Sequence, residues 1–216
     1  MASGLNSEPA GSRTDAVYFG GGLVAQHATA TPLEARPGTR WRYANNDTML
    51  ALRALREAMD DDAAFHAFPF EAVLHRIGMT RTVPETDWGG DFILSSQVWT
   101  TSRDLARLGL LYLNNGVWEG ERILPAGWSD YVRLRSGPQP YGDTRPKAGH
   151  RGYGAQFWTY HYPGVPEGTY AALGNRGQFV IIIPSEDTVI VRRGYDYTGN
   201  RFDGPAFTAE VLEVFD

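Results

Sequence analysis

A tyrosine and an asparagine two positions apart, Tyr43 and Asn45, stand just before a predicted helix. Residues two positions apart in an extended segment project to the same side, so both side chains can face one cleft. A phenol with its ordinary pKa of about 10 is a poor base, and it needs a nearby cation to act at neutral pH. Taken alone, the Tyr-x-Asn tripeptide has an alternative interpretation, an aromatic core residue followed by a helix cap, and this alternative stays open.

A glycine-rich segment, residues 174–178, precedes the predicted strand 179–183. Glycine at such a position lets a ligand approach the backbone of an edge strand closely, and the N–H groups that follow can donate hydrogen bonds to an oxyanion. A β-bulge or a tight turn would use the same glycines. The segment is therefore a second candidate for chemistry, with a structural alternative beside it.

Several common kinds of site are missing from the sequence. The chain has no cysteine, which excludes disulfides, thiolate metal sites and thiol catalysis. It contains no His-Glu-x-x-His zinc pair, no Walker phosphate loop and no Gly-x-Ser-x-Gly nucleophile motif. The histidines lack metal-ligand spacing; they are His27, His66, His75, His150 and His161. We predict no metal site and no cofactor.

Charge and hydropathy limit the partners. The formal net charge is −5 and no basic stripe is present, which argues against nucleic acid as a partner. No apolar run approaches the length that spans a bilayer, so we predict no membrane span. The acidic run Asp60, Asp61 and Asp62 is interpreted as a solvated helix start rather than a metal site.

Apolar periodicity and turn signals indicate the elements that must position these residues. The first two predicted helices cover 46–58 and 61–76. A third starts at the capping box of Thr101 and Asp104 and ends near residues 114–116. A fourth covers 125–134, and Pro205 opens the last one. The predicted strands cover 154–162, 179–183 and 188–191, and the last two form a hairpin. Residues 1–35, 79–101 and 136–152 are predicted to be extended or loop structure.

The order of these elements indicates the fold class. Helices come first, antiparallel strands second and one helix last, which favours an α+β protein over alternating β-α-β units. We assign residues 1–152 to a mainly helical and loop region that carries the Tyr-x-Asn segment. Residues 153–216 supply antiparallel strands and a C-terminal helix that complete the same structural unit.

The two candidate segments, in this order, resemble the penicillin-recognising serine hydrolases. That family includes class C β-lactamases, D-alanyl-D-alanine carboxypeptidases, and related esterases and aminohexanoate-oligomer hydrolases. Residues 37–47 are similar to its PGxxWxYSNxD segment, with Ala44 where serine is usual. Residues 174–184 are similar to its GxxGQ-strand-P segment, which stands where Lys-Thr-Gly occurs in the β-lactamases proper. Three further stretches are similar to family segments, namely 1–5, 94–109 and 113–125.

The resemblance implies a role for each matching residue. Tyr43 would be the general base or acid that relays a proton between the nucleophile and the leaving group. Asn45 would hydrogen-bond the acyl side of the substrate and the family's catalytic lysine. Gly177 would leave room for the substrate, and the backbone N–H of Gln178 would be one of two oxyanion donors.

Asn175 and Arg176 replace the Lys-Thr of the family motif and are the further candidates for substrate binding. The Arg176 guanidinium would suit a bidentate contact with a substrate carboxylate, although a surface position would suit it equally. Because the lysine of that motif is missing, the resemblance favours an ester, amide or peptide substrate over a β-lactam.

The family's nucleophile motif, Ser-x-x-Lys, is absent from the 216 residues. Its serine is inert until the neighbouring base removes the hydroxyl proton. The only lysine, Lys147, follows Thr144 by three positions, but Pro146 disfavours a helix there. We therefore expect the chain to be the C-terminal part of a longer hydrolase and to be inactive alone. The alternative is a non-catalytic ligand-binding or regulatory module derived from the same fold.

The implied fold is of the β-lactamase/transpeptidase type, an antiparallel sheet flanked by helices beside a mainly helical region. Two N-terminal strands and the nucleophile helix would be missing here. We therefore expect an uncovered apolar sheet face and self-association through it. Family members are often exported, which favours a periplasmic or secreted parent protein.

Overall fold

The computed structural model describes residues 1–7, 17, 22–135, 137–140, 149–197 and 202–214. The chain forms two compact units. Unit 1 comprises Met1–Arg76 and Thr80–Thr100, and unit 2 comprises Ile77–Met79 and Thr101–Asp216. This division comes earlier in the chain than the change predicted at residues 152–153, because the helix that follows Thr101 packs on the sheet.

The described part of unit 1 contains helices and two very short strands. Its elements are helices α1 (Val24–Thr29), α2 (Asn45–Met59) and α3 (Asp62–Pro69), a π-helical turn (Phe70–Leu74), and the antiparallel strands β1 (Val83–Pro84) and β2 (Val98–Trp99). Helix α2 confirms the prediction over 46–58 to within one residue at each end. Its apolar residues Met49 and Leu52 are buried in a core with Ala25, Phe65 and Phe92, which is the burial that apolar residues at helical spacing predict.

Other sequence predictions for unit 1 need correction. The predicted loop 1–35 contains α1, and the predicted loop 79–101 contains β1 and β2. The predicted helix 61–76 changes to a π-helical turn after Pro69 and ends at Leu74. Proline has no backbone N–H and therefore interrupts the regular hydrogen-bond ladder at that point.

Within the described residues, unit 2 contains a five-stranded sheet, three α-helices, a 3₁₀ turn (Pro184–Glu186) and a small hairpin. Its elements are α4 (Ser102–Leu113), β3 (Val117–Trp118), β4 (Glu121–Arg122), α5 (Trp128–Arg133), β5 (His150–Tyr153), β6 (Trp158–His161), β7 (Tyr170–Gly174), β8 (Gln178–Ile183), β9 (Thr188–Arg192) and α6 (Gly204–Leu212). The predicted start of α4 is confirmed, because the Thr101 hydroxyl accepts a hydrogen bond from the backbone N–H of Asp104 at 3.2 Å. The predicted α5 and α6 are confirmed in position, although α5 is shorter than 125–134.

The sheet has the strand order β5-β6-β7-β8-β9, and every neighbouring pair is antiparallel. The predicted hairpin of residues 179–183 and 188–191 is confirmed as β8 and β9. However, β8 lies between β7 and β9, so the expectation that its backbone forms an edge is wrong. The two edges of the sheet within the described residues are β5 and β9.

The prediction of a strand over 154–162 is confirmed only for Trp158–His161, which form β6, because the chain turns at Gly154. The predicted loop 136–152 contains the start of its partner strand β5. The Gly154 N–H donates to the carbonyl oxygen of Phe157 at 2.8 Å. A Cβ at Gly154 would lie 2.0 Å from the carbonyl oxygen of Val132, so only glycine fits where the turn meets the end of α5.

Each face of the sheet carries an apolar cluster that includes a helix. Val180 and Ile182 pack in the cluster with α4, and Ile181 and Ile183 pack in the cluster with α6. This is the alternation expected along a strand that is buried on both faces. The uncovered apolar face expected from the sequence is not seen on the described strands. Self-association through an uncovered part of the sheet stays a prediction.

Helix α4 approaches the sheet closely at a glycine. A Cβ at Gly109 would lie 2.5 Å from Cγ1 of Val189 and 3.1 Å from Cγ1 of Val180. The helix therefore packs on β8 and β9 at a distance that no larger residue at this position would allow.

Candidate functional site

Tyr43 and Asn45 lie in unit 1, at the start of α2. Ala44 between them has an extended backbone, with φ of −149° and ψ of 139°, and the helix begins at Asn45. Ala44 is the N-cap residue and its side chain makes no capping hydrogen bond. Asn45 is 9% exposed and Tyr43 is half-buried. The structure therefore places both side chains at the junction of a strand-like segment and a helix, as the spacing predicts.

The segment before α2 is anchored by residues 1–5. Ser3 donates two hydrogen bonds to the carboxylate of Asp47, from its backbone N–H at 2.9 Å and from its hydroxyl at 2.8 Å. The backbone N–H of Arg42 donates to the carbonyl oxygen of Met1 at 3.0 Å. Two segments that resemble the same family are thus in direct contact, and Asp47 helps to hold the segment that carries Tyr43.

The residue after the predicted pair, Asn46, is fully buried, and the sequence analysis gave it no role. Its side-chain amide donates to the carbonyl oxygen of Ala28 at 2.6 Å and so ties α2 to α1. The Oδ1 atom of Asn46 has no hydrogen-bond partner within the described part of the chain. A buried amide that donates to the main chain of a neighbouring helix fixes the packing of the two helices. In the sequence, the only signal for Asn46 is that it directly follows another asparagine.

The remaining predicted residues lie in unit 2, at the turn between β7 and β8. Gly174 and Gln178 are register partners, so residues 175–177 form the turn. Both Arg176 and Gly177 have positive φ, 56° and 80°. Because Arg176 carries a Cβ, its left-handed conformation is unfavourable by about 1–2 kcal/mol and must be held by surrounding contacts.

Those contacts come from the segment that follows β9. Arg192 donates from Nη1 to the carbonyl oxygen of Gly177 at 2.7 Å, and the backbone N–H of Asp196 donates to the carbonyl oxygen of Arg176 at 3.1 Å. The Gln178 side chain donates to the carbonyl oxygen of Gly194. A Cβ at Gly177 would lie 2.1 Å from both Arg192 Nη1 and Asp196 Oδ2. The position that a side chain at residue 177 would take is therefore occupied by two charged side chains.

Arg192 and Asp196 form a bidentate ion pair. The distances are 2.7 Å from Nη2 to Oδ1 and 3.0 Å from Nη1 to Oδ2. The guanidinium carbon of Arg192 lies 3.8 Å from the centre of the Phe202 ring. Hydrogen bonding to Arg192 lowers the pKa of the Asp196 carboxyl, partly opposed by desolvation. The Asp196 carboxyl is therefore ionised at neutral pH, and no sequence signal pointed to this ion pair.

An open cavity of about 560 Å³ lies beside this turn. Its wall includes the three residues predicted to bind substrate, Asn175, Arg176 and Gly177, together with Arg151 and Tyr160. Burial raises the pKa of the Tyr160 phenol, which keeps it a neutral hydrogen-bond donor. The wall carries the guanidinium groups of Arg151 and Arg176, aromatic rings, and the Asp196 carboxylate, which is paired with Arg192. The two guanidinium groups suit an anion with an apolar body.

The predicted site residues fall into two groups, one in each unit. Tyr43 and Asn45 stand at the start of α2, and residues 175–178 stand at the turn of the sheet. Their convergence on one cleft stays a prediction. Lys147, with Thr144 and Pro146, lies outside the described residues.

Metal binding and membrane insertion find no support in the residues whose positions are described. Across the described ranges, no group of three or more histidine, aspartate or glutamate side chains could hold a metal ion. No helix in that part of the molecule is long and apolar enough to cross a bilayer.

Comparison with known proteins identifies the family. Residues 1–193 match the family model described as Beta-lactamase. The chain belongs to the beta-lactamase family. This membership confirms the resemblance carried by the segments before α2 and after β7.

Named relatives of this beta-lactamase-family chain include hydrolases. It is 30% identical over 115 residues to the 6-aminohexanoate-dimer hydrolase of Paenarthrobacter ureafaciens, a region that covers 52% of this chain and 28% of that protein. A solved structure of a candidate 6-aminohexanoate-dimer hydrolase from Bacillus anthracis is 26% identical, with a TM-score of 0.66. The match covers 86% of this chain and 45% of the Bacillus anthracis protein. The chain thus spans less than half the length of these two relatives.

A further structure supports the fold alone. A candidate beta-lactamase from Bacteroides dorei is 17% identical, with a TM-score of 0.66, and the match covers 98% of this chain and 69% of that one. The α+β arrangement of an antiparallel sheet with flanking helices is therefore the beta-lactamase fold.

Proposed function

We propose that this chain carries part of the active site of an acyl-serine hydrolase that cleaves an ester, amide or peptide bond. In the complete reaction, a serine of a Ser-x-x-Lys motif attacks the substrate carbonyl and loses its hydroxyl proton to a base. The proton passes to the leaving alcohol or amine, and an acyl-enzyme forms. Water then attacks the acyl-enzyme, which releases the acid and restores the serine. The nucleophile of this scheme is not among the 216 residues.

Each predicted residue has a task in this reaction. Tyr43 relays the proton between serine and leaving group, and Asn45 holds the acyl side of the substrate. The Gln178 backbone N–H donates to the oxyanion, and Asn175, Arg176 and Gly177 contact the remainder of the substrate. Arg176, beside a cavity with aromatic walls, favours substrates that carry a carboxylate.

The observation that carries the proposal is the anchored Tyr-x-Asn segment of a beta-lactamase-family chain. Ser3 and Asp47 hold this segment through two hydrogen bonds of 2.8–2.9 Å. The backbone that carries Tyr43 is therefore fixed just before the start of α2. The 6-aminohexanoate-dimer hydrolases among the relatives support an amide as the substrate class. A β-lactam is disfavoured because Asn175 and Arg176 replace the Lys-Thr of the β-lactamases proper.

The proposal predicts that the chain alone has no activated serine. We expect a fluorophosphonate probe to leave this chain unlabelled and to label a longer polypeptide that carries a Ser-x-x-Lys segment upstream of it. Intact-mass spectrometry after probe treatment measures both. A labelled serine in the isolated chain would contradict the assignment of the nucleophile to an upstream segment.

Replacing Tyr43 tests the chemical step. In the longer polypeptide, Tyr43→Phe should lower kcat by at least about 10²-fold, because the ring stays in place while the proton relay is lost. Tyr131→Phe is the matched control, since Tyr131 lies on α5 with half of its surface exposed. Equal rates for the two variants would remove Tyr43 from the mechanism.

A second candidate function is a non-catalytic ligand-binding or regulatory module. The missing Ser-x-x-Lys motif favours it, since a cleft without a nucleophile still binds ligands. Genomic sequence upstream of codon 1 distinguishes the two candidates. An in-frame Ser-x-x-Lys supports the hydrolase, whereas a stop codon directly before Met1 supports the binding module.

A further inference from the structure

We infer that Arg192 and Asp196 are positioning residues that hold the β7–β8 turn in its functional conformation. The inference rests on the proposed function for its catalytic consequence, because the turn carries the residues assigned to substrate and oxyanion. Nothing in the sequence pattern marks these two residues, which follow a β-branched run and resemble a solvated strand end.

The turn needs an external support. Arg176 adopts a left-handed backbone conformation that side-chain-bearing residues avoid, and Gly177 continues it. Such conformations persist where neighbouring groups hold them, and they occur at functional sites. The Arg176 guanidinium lies 4.8 Å above the Tyr195 ring, so even the strained residue is held by the segment after β9.

The support is a connected set of hydrogen bonds. Arg192 bonds the carbonyl oxygen of Gly177, Asp196 bonds both guanidinium Nη atoms of Arg192, and the Asp196 N–H returns to the carbonyl oxygen of Arg176. Two successive turn carbonyls are thus bound by one ion pair and one backbone amide. Charge-assisted hydrogen bonds of this kind are about twice as strong as neutral ones.

The contact with Gly177 also fixes a peptide plane. The carbonyl oxygen of Gly177 and the N–H of Gln178 belong to one trans peptide group, so they point in opposite directions. The Arg192 guanidinium therefore sets the orientation of the N–H assigned to the oxyanion and polarises it. The Gln178 N–H therefore points away from Arg192.

An exposed ion pair elsewhere in unit 2 provides a matched control. Arg133 and Asp130 also pair on the surface, three residues apart on α5, and Asp130 is 62% exposed against 18% for Asp196. No turn carbonyl accepts a hydrogen bond from Arg133 in the described contacts. Removing the Asp130 charge should therefore leave the β7–β8 turn unchanged.

Nuclear magnetic resonance of this chain tests the positioning role without any catalysis. In Asp196→Asn, we expect the carbonyl ¹³C resonance of Gly177 to shift and the amide at position 196 to exchange at least about tenfold faster. Arg192→Lys keeps a cationic donor but loses the bidentate pair, so its changes should be intermediate. Asp130→Asn should show neither change. Thermal unfolding of each variant confirms that the fold is retained.

The outcomes are decisive. If Asp196→Asn and Arg192→Lys both leave the Gly177 resonance and the exchange rate at wild-type values, the inference is wrong. If Asp196→Asn does not fold, Arg192→Lys provides the same comparison, because a lysine side chain still reaches toward Phe202 and Gly177.

The catalytic consequence is tested separately in the longer polypeptide with its Ser-x-x-Lys segment. Asp196→Asn should lower kcat by about tenfold with little change in KM, less than the 10²–10³-fold loss typical when an oxyanion donor is removed. An unchanged kcat would refute the positioning of the catalytic turn. A polypeptide without any hydrolytic activity would refute the proposed function, while the resonance data would still report on the turn.

Discussion

Two turns of unit 2 each place a residue with a side chain and a following glycine at positive φ, and they differ in their surroundings. In the β3–β4 turn, Glu119 and Gly120 have φ of 48° and 86°, and in the β7–β8 turn Arg176 and Gly177 have φ of 56° and 80°. A Cβ added to Gly120 would meet no atom within 4 Å, whereas one added to Gly177 would meet two charged groups at 2.1 Å. The first turn is specified by its own residues. The second is held by contacts from a segment 15–20 positions further along the chain.

Alanine at the two glycines tests this comparison with the largest expected effect. Gly120→Ala should lower the free energy of unfolding by about 1–2 kcal/mol, because only the positive φ is unfavourable there. Gly177→Ala should add about 1–3 kcal/mol to that loss, since its Cβ overlaps the ion pair of Arg192. Urea unfolding of both variants measures the difference. Equal losses would show that the second turn has no supporting contact to disrupt.

Gly194→Ala should have a smaller effect, because no positive φ contributes. Its Cβ would lie 2.2 Å from Nη1 of Arg192, 2.5 Å from the carbonyl oxygen of Gly177 and 2.7 Å from that of Arg176. We expect a loss of about 1–3 kcal/mol in urea unfolding. Arg192→Gln in the same chain should not rescue it, since two backbone oxygens still block the Cβ. Full rescue would mean that the side chain alone sets the spacing.

Acid should release the second turn, with the smallest expected effect. The pKa of Asp196 is lowered by its hydrogen bonds to Arg192, so its contribution is complete above the unfolded pKa of about 3.9 and is lost as pH falls through the lower folded value. The Gly177 carbonyl resonance should therefore be constant from pH 7 to 5 and shift only below about pH 4. A midpoint above pH 5 would contradict the ion pair.

The sequence predicted a helix or hairpin correctly where a single local pattern determines that element. Helix α2 was predictable from Met49 and Leu52 at helical spacing, and the start of α4 from the capping pair of Thr101 and Asp104. The β8–β9 hairpin was predictable because β-branched runs flank a short loop. Of the candidate site, the sequence predicted the positions of Tyr43 and Asn45 and the glycine-rich turn.

The remainder depends on contacts between distant segments. The turn at Gly154 is required by the carbonyl of Val132, which the order of residues does not reveal, so aromatic alternation predicted a strand that starts at 154, whereas β6 starts at Trp158. The interior position of β8 depends on pairing with β7, a strand that has no strong period-2 pattern. Arg192 is a charged residue at the end of β9, which in the sequence is typical of a solvent-exposed strand end. Its contact with Gly177 is formed only in the folded chain.

The short distance between α4 and the sheet depends on the absence of a side chain at Gly109. A substitution that added a methyl group at position 109 would displace the helix from Val189 and Val180. Because the helix is rigid and closely packed, the displacement would extend along its axis. Engineering that aims to reshape this protein without touching its candidate chemistry could therefore use residue 109 to adjust the thickness of the layer between helix and sheet.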